Sequence, residues 1–143
     1  MPKSASACNS LLNLYYRAEA WADIAENDST SPATVIQIPL ANASYTDTST
    51  LASNEGGYTN YARQTLPRSG SGWTLATTKS TTNAAAVDYP AGGVTGATMV
   101  AAATGVGAGA GIPMHYGDLN APIAVSNAIQ PRFAIGAITI SEA

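Results

Sequence analysis

The apolar positions of this chain follow two different periods, one before Pro32 and one after it. Between residues 10 and 26, apolar side chains recur at spacings of three and four, as on one face of an α-helix. This pattern predicts a helix over residues 10–26, with Ser10 or Asn9 as its N-cap and Asn27 at its end. Its apolar face comprises Leu11, Leu14, Tyr15, Ala18, Trp21, Ala22 and Ala25. Such a face packs either on its own domain or on a partner.

After Pro32 the helical period gives way to short apolar and β-branched runs. Gly, Pro, Asn and Ser separate these runs at intervals of about 8–12 residues, which is typical of an all-β sandwich or barrel. The last run is apolar on both faces, as in a strand that is covered on two sides. The predicted strands are residues 33–40, 58–66, 73–77, 84–89, 95–102, 112–116, 121–125 and 132–140.

A glycine-rich run at residues 105–111 stands between two of these predicted strands. Glycine at every second position predicts a flexible hairpin tip, or a backbone that another chain can approach closely. The run lacks the Lys-Ser/Thr pair of a phosphate-binding loop, and no helical pattern follows it. We therefore expect no nucleotide there.

Composition points toward assembly. Only 10% of the residues are charged, against about 25% in an ordinary soluble domain. A surface with so little charge is poorly protected against association, so we expect neighbouring subunits to cover much of it. The alternative is a soluble domain that relies on Ser, Thr and Asn. The net charge of −3 and six scattered cations argue against nucleic-acid binding, which needs a basic stripe.

Candidate chemistry is sparse. His115 is the single histidine, and Asp118 lies three residues further on, but no nucleophile elbow accompanies them. A zinc site needs three or four Cys, His or acidic ligands, and the chain offers one histidine and one cysteine, Cys8, far apart in sequence. Cys8 is expected to lie before the folded region, and a lone cysteine excludes an intrachain disulfide. We predict no enzymatic activity, no metal and no cofactor.

The aromatic residues allow two interpretations. At strand positions they could line a sugar-binding face, but core or subunit contacts are the commoner role in small β domains. They are Tyr58, Tyr61, Trp73, Tyr89 and Tyr116. We also expect no secretory signal and no membrane-spanning segment, since no apolar stretch approaches 18 residues.

Several elements, taken in order, resemble a family of small tailed-phage virion proteins usually labelled "tail fibre protein". Residues 56–64 (GGYTNYARQ) resemble the Tyr-Ala-Arg element of that family, and residues 82–90 (TNAAAVDYP) resemble its Asn-x-x-Ala-Val-x-Phe-Pro strand. Residues 115–122 (HYGDLNAP) resemble its Phe-Tyr-Gly-x-Leu-x-x-Pro element.

The first strand, the glycine turn and the closing strand extend the likeness over roughly residues 10–141. These elements are residues 34–41, 94–111 and 133–140. The chain departs from the family at Met99–Ala103, where an aromatic strand of the type Gly-Ile-Trp/Phe-Asp is expected.

The resemblance implies a jelly-roll-like antiparallel β-sandwich with an N-terminal helix, divided into an arm and helix at residues 1–30 and a sandwich at 31–143. It implies a structural role in the virion and supplies no catalytic residues. The family includes capsid decoration (cement) proteins, which stabilise the head shell. A tail-fibre or collar component that contacts host glycans is the alternative.

For the decoration role we expect a homotrimer made in the bacterial cytoplasm, located on the capsid surface and bound to the major capsid protein. The predicted interface residues are Leu11, Leu14, Tyr15, Ala18, Trp21, Gly107 and Gly109. Residues expected to maintain the fold are Tyr61, Arg63, Trp73, Tyr116 and Phe133. Arg63 in a strand requires a carboxylate, a carbonyl or solvent as its partner.

Overall fold

The computed structural model describes residues 3–21, 24 and 32–143. In this part of the chain one N-terminal helix precedes a set of mostly short strands, which confirms the predicted all-β class with an N-terminal helix. The jelly-roll connectivity stays a prediction. The elements are α1 (Ala5–Arg17), β1 (Val35–Ile38), β2 (Leu40–Ala41), β3 (Gln64–Pro67), β4 (Ser80–Thr82), β5 (Val87–Asp88), β6 (Ala97–Val106), β7 (Ile112–Val125), β8 (Arg132–Phe133) and β9 (Thr139–Ser141).

The strands form one five-stranded sheet and two two-stranded sheets. The large sheet has the order β2-β6-β1-β3, with β7 also paired to β6, and the small sheets are β4-β9 and β5-β8. The pairings of β6 with β1, β2 and β7, and of β4 with β9, are antiparallel. Representative registers are Gln37 opposite Gly105, Leu40 opposite Ala102 and Thr81 opposite Ile140.

The chain forms two compact units that are each discontinuous in sequence. Unit 1 consists of Met1–Val35, Leu66–Ala86 and Phe133–Ala143, and unit 2 consists of Ile36–Thr65 and Val87–Arg132. The helix thus shares a unit with two later segments of the chain. The predicted domains, residues 1–30 and 31–143, instead divide the chain at one position.

Helix α1 begins and ends earlier than the periodicity predicts. Ser4 is its N-cap, because the Ala7 amide donates to the Ser4 hydroxyl at 3.1 Å. The helix ends at Arg17, and Ala18 adopts a left-handed conformation with φ 58°. The predicted bounds of residues 10–26 and the predicted N-cap at Ser10 or Asn9 are therefore wrong. Residues 22–23 and 25–26 of that range, and the predicted end at Asn27, lie outside the described part.

A distant arginine stabilises the C-terminal end of the helix. The Arg68 guanidinium donates to the carbonyls of Tyr15 at 2.7 Å and Leu14 at 2.5 Å. Carbonyls in the last turn of a helix lack intrahelical partners, and a cation favours the negative end of the helix dipole. The helix can therefore stop here without orphaned acceptors at these two residues.

The buried face of α1 is offset from the predicted stripe. Cys8, Leu12 and Tyr16 are fully buried at a spacing of four. The Tyr16 ring lies 4.5 Å, centroid to centroid, from the buried ring of Trp73. The expectation that Cys8 precedes the folded region is wrong, because its thiol is part of the core of unit 1.

Asn83 organises the chain end of unit 1. Its buried amide donates to the carbonyls of Ala134 and Ala85, each at 2.8 Å, and accepts from the Ile138 amide at 2.8 Å. These bonds hold a turn in which Gly136 has φ 77°. The predicted continuous strand over 132–140 is therefore wrong: the turn separates β8 from β9.

A tight turn at Thr77–Ser80 follows the strand predicted at 73–77, in which only Trp73 and Thr77 form isolated bridges. Thr78 and Lys79 both have positive φ, at 49° and 65°, as a two-residue type I′ hairpin requires. The Lys79 amide donates to the Asn9 side chain at 2.7 Å, so a residue of α1 supports a turn that has no glycine.

The core of unit 2 is built around β6. Met99, Ala101 and Ala103 are buried at alternate positions of this strand. Tyr45 and Leu51 belong to the same buried cluster as the two alanines. Large residues from a loop thus pack against small residues of the strand.

Two further strand predictions differ from the structure. Within the predicted strand 58–66, only Gln64 onward is extended, because residues 58–61 turn, with the Tyr61 amide donating to the Tyr58 carbonyl at 3.1 Å and Asn60 at φ 74°. The predicted strands 112–116 and 121–125 are parts of one strand, β7.

Candidate functional site

The glycine-rich run is a hairpin tip, as the sequence predicts. Strands β6 and β7 pair on either side of it, with Val106 opposite Ile112. Gly107 and Gly109 have positive φ, at 87° and 61°, a conformation that glycine adopts without steric cost. Both of these predicted interface residues are exposed at the tip.

Strand β7 presents an unusually open surface for its length. Of its 14 residues only Val125 is buried, and Ile112 is 71% exposed. The stretch from Tyr89 to Pro131 contains a single charged residue, Asp118. Strand β7 therefore combines high exposure with almost no charge.

The outer edge of β7 is open within the described part of the chain. The sheet pairs β7 with β6 alone, and an unpaired edge offers backbone amides and carbonyls to another chain. Pro113 and Pro122 interrupt that edge, and the pairing with β6 is irregular between Asp118 and Ile123. Prolines and bulges limit edge-to-edge addition, so this strand suits a specific contact better than open-ended stacking.

Glu55 is the partner of Arg63. Nε of Arg63 donates to Oε1 of Glu55 at 2.7 Å, and a terminal nitrogen donates to Oε2 at 2.5 Å. The Tyr61 hydroxyl donates to the same carboxylate at 2.8 Å and accepts from the Leu40 amide at 3.1 Å. The predicted need of Arg63 for a carboxylate or a carbonyl is met by the Glu55 carboxylate and by the Gly109 carbonyl.

Arg63 also contacts the glycine-rich tip. The guanidinium donates to the Gly109 carbonyl at 2.8 Å, and the Leu51 amide donates to the Gly111 carbonyl at 2.9 Å. A shallow, open depression of about 420 Å³ lies beside this cluster, with Gln37 and Ala108 among its lining residues. Two carbonyls of the tip are therefore held by the body of unit 2.

Burial and hydrogen bonding change the acidity of this cluster. Burial, followed by the hydrogen bond to Glu55, raises the pKa of Tyr61 far above its usual value. The hydrogen bond to Glu55 raises the pKa of Arg63, and burial raises the pKa of Tyr45 to about 12. At neutral pH the tyrosines are thus protonated donors and Arg63 is a cation, which favours a structural network.

Most of the candidate sugar-binding aromatics are core residues. Tyr58, Trp73 and Tyr89 are at most 4% exposed. Tyr89 donates from its hydroxyl to the Ile38 carbonyl at 2.8 Å. The exposed Tyr116 donates its hydroxyl to Asp47 and lies 6.1 Å from the Tyr45 ring. Together these positions do not form an aromatic platform on the surface.

The predicted interface residues in and just after the helix are half-buried in unit 1. They are Leu11, Leu14, Tyr15, Ala18 and Trp21. The carbonyls of Leu14 and Tyr15 are bound by Arg68, as described above, and the side chain of Asn13 accepts from the Ala76 amide at 2.8 Å. The helix thus packs on its own unit, one of the two alternatives that its pattern allows.

The residues that were expected to maintain the fold differ in how far they are buried. Trp73 is fully buried and Tyr61 and Arg63 are half-buried, whereas Tyr116 is exposed and Phe133 is half-buried in β8. Sequence reasoning assigned no role to Glu55, Arg68 and Asn83. Asn83 stands in the element at residues 82–90 that resembles the virion family, but nothing local identifies its hydrogen-bond partners.

The catalytic candidates do not converge in the described residues. His115 and Asp118 lie three positions apart on β7, where regular strand geometry directs their side chains to opposite faces. Within residues 3–21, 24 and 32–143, no three His, Cys, Asp or Glu side chains form a group that could hold a metal ion.

No protein-family model matches the chain, and no curated protein sequence matches it. Among the described residues, no helix has the length and apolar character needed to cross a bilayer.

Proposed function

We propose that this chain is a structural protein of a tailed-phage virion, a capsid decoration protein that stabilises the head shell by binding the major capsid protein. Strand β7 of the hairpin carries this proposal, because it exposes a long surface with Asp118 as its single charged residue. The ordered sequence elements that resemble small virion proteins support it independently.

The physical chemistry of that surface suits a protein partner. Interface cores are depleted in charged residues, because buried charges must be desolvated or paired. Burying exposed apolar atoms such as those of Ile112 contributes roughly 25 cal/mol per Å². A strand of this length extends at most roughly 48 Å at 3.4 Å per residue, enough to contribute to an interface of about 800 Å² per partner.

The proposed assembly is a homotrimer on the capsid surface, with the hairpin and its tip against the shell. The helix contributes to the contact with the shell only through the exposed parts of its half-buried residues Leu11, Leu14 and Tyr15. Since the helix packs within unit 1, we place more weight on Gly107 and Gly109 than on the predicted helix residues.

A charge placed on the hairpin tests the binding surface. Ile112→Asp should weaken binding to purified heads that lack this protein by at least tenfold, because an unpaired carboxylate would be desolvated in the interface. Leu75→Asp is the matched control, since Leu75 is 54% exposed and belongs to unit 1. Equal affinities of Ile112→Asp and the unmodified protein would exclude this surface.

Copy number tests the location. Quantitative mass spectrometry of purified virions should give hundreds of copies per particle, in proportion to the major capsid protein. A few to a few tens of copies would favour a tail-fibre or collar component. Absence from virions would overturn the structural role altogether. The buried positions of Tyr58 and Trp73 weaken the glycan-binding alternative.

A further inference from the structure

We propose that Arg63, held by Glu55, is a positioning residue. It orders the glycine-rich tip in its docking conformation before the tip binds the major capsid protein. The docking part of this inference rests on the proposed function. The ordering part concerns the free protein and can be tested without any partner.

The tip has a specific need for such a restraint. Glycine loses more conformational freedom on ordering than any other residue, and residues 105–111 carry four glycines. Ordering a loop during association reduces affinity, whereas a loop that is already ordered avoids that cost. A binding tip of this composition therefore gains affinity from a contact that holds it beforehand.

The restraint begins in the sheet and ends at the tip. Glu55 forms an isolated bridge with Ala41 of β2, and its carboxylate receives the Tyr61 hydroxyl at 2.8 Å. Arg63 spans from this carboxylate to the Gly109 carbonyl, at 2.5 Å and 2.8 Å from the same terminal nitrogen. The tip is thus connected to β2 through two side chains.

The environment strengthens this connection. The side chains of Arg63 and Glu55 are 12% and 16% exposed, so water competes weakly for the hydrogen bonds between them. The bond to Gly109 lies at an exposed residue of the tip. Charge-assisted hydrogen bonds are roughly twice as strong as neutral ones. The planar guanidinium serves two acceptors at once, which the single ammonium of lysine does less well.

The Leu51 amide is a natural reporter of tip order. It donates to the Gly111 carbonyl at 2.9 Å, so its hydrogen exchange accelerates when the tip leaves its position. In Arg63→Gln we expect exchange at Leu51 to accelerate by roughly tenfold or more, with increased backbone mobility at Gly107 and Gly109 in NMR relaxation. Arg132→Gln is the matched control, because it removes a cation of unit 2 from an exposed pair with Asp88.

Arg63→Lys keeps the charge and guards against a variant that fails to fold. It should give an intermediate acceleration at Leu51, since one ammonium cannot hold both acceptors in the same geometry. Unchanged exchange in both Arg63 variants would overturn the inference, whatever the protein binds.

Binding to purified heads then separates the two proposals. A loosened tip with roughly tenfold weaker head binding supports the positioning role, and a loosened tip with unchanged affinity overturns it. If the unmodified protein does not bind heads, the proposed function fails and the docking role fails with it. The exchange at Leu51 still decides whether Arg63 orders the tip.

Discussion

The two units of this protein obtain their order in different ways. In unit 1, single polar side chains determine where the chain turns and where the helix ends, as Asn83 and Arg68 show. In unit 2, strand pairing around β6 dominates, and small buried residues such as Ala101 and Ala103 leave room for loop residues. Unit 1 should therefore be sensitive to the loss of individual hydrogen bonds, whereas the surface of unit 2 should tolerate change.

The largest effect is expected at Asn83. Asn83→Ala would remove three hydrogen bonds made by a fully buried side chain, to the Ile138 amide and to the Ala134 and Ala85 carbonyls. We expect the free energy of unfolding to fall by about 3 kcal/mol, because each hydrogen bond contributes about 1 kcal/mol. Urea denaturation measures this change. Asn120→Ala, at an exposed position of β7, is the control, and a loss below about 1 kcal/mol at Asn83 would remove the distinction between the units.

Alkaline pH should destabilise unit 2 through its buried tyrosines. The pKa of Tyr45 is raised by burial to about 12 from an ordinary value of 10.0. The neutral phenol is therefore favoured in the folded state, so its contribution is fully present below pH 10 and is lost as the pH rises to about 12. The loss is roughly 2–3 kcal/mol, since one pKa unit corresponds to 1.36 kcal/mol.

Tyr45→Phe isolates this contribution. Between pH 10 and 12 its unfolding free energy should decrease less steeply with pH than that of the unmodified protein. The difference in slope corresponds to about one proton, which the Tyr45 hydroxyl loses on unfolding. Denaturation series at pH 8, 10 and 11 provide the comparison. Identical slopes for the two proteins would contradict the assignment to Tyr45.

The next effect concerns the helix end. Arg68→Ala should reduce the unfolding free energy by about 2 kcal/mol, because hydrogen bonds to a charged donor contribute about 1.5–3 kcal/mol. Helical circular dichroism at 222 nm should weaken at the same time. Arg132→Ala removes an exposed cation and should cost less than about 1 kcal/mol. Equal losses in the two variants would show that Arg68 is not specific to the helix end.

The smallest stability effect is expected on the hairpin surface. Ile112→Asp and Leu75→Asp should each change the unfolding free energy by no more than about 0.5 kcal/mol, as is usual for exposed positions. Thermal melting of both variants checks this. A large loss at Ile112 alone would mean that the surface of β7 is structural, and it would undermine its use as a binding surface.

Local patterns predicted the features that depend on neighbouring residues. The hairpin around residues 105–111 followed from its glycines. The predicted strand at 33–40 contains β1, because its β-branched residues fit a pleated strand. The helix was recognised, but its bounds were wrong, because the N-cap at Ser4 and the end at Arg17 depend on contacts that periodicity does not contain.

The candidate site was predicted only in part. Gly107 and Gly109 were placed at an exposed tip, and Arg63 was known to need an acceptor. The acceptor itself, Glu55, and the contact with Gly109 were not predicted. Gly109 is 46 residues from Arg63, and no local pattern specifies which carbonyl a guanidinium will reach across that separation.

By itself the sequence determined the all-β class with an N-terminal helix, the glycine hairpin and the low surface charge, since these depend on residue type and short-range spacing. Tertiary structure decided where α1 ends, where the last predicted strand breaks and what holds the tip. The physical reason is that polar groups removed from water must find partners, and here Arg68 reaches Leu14 and Asn83 reaches Ala134, each more than 50 residues away.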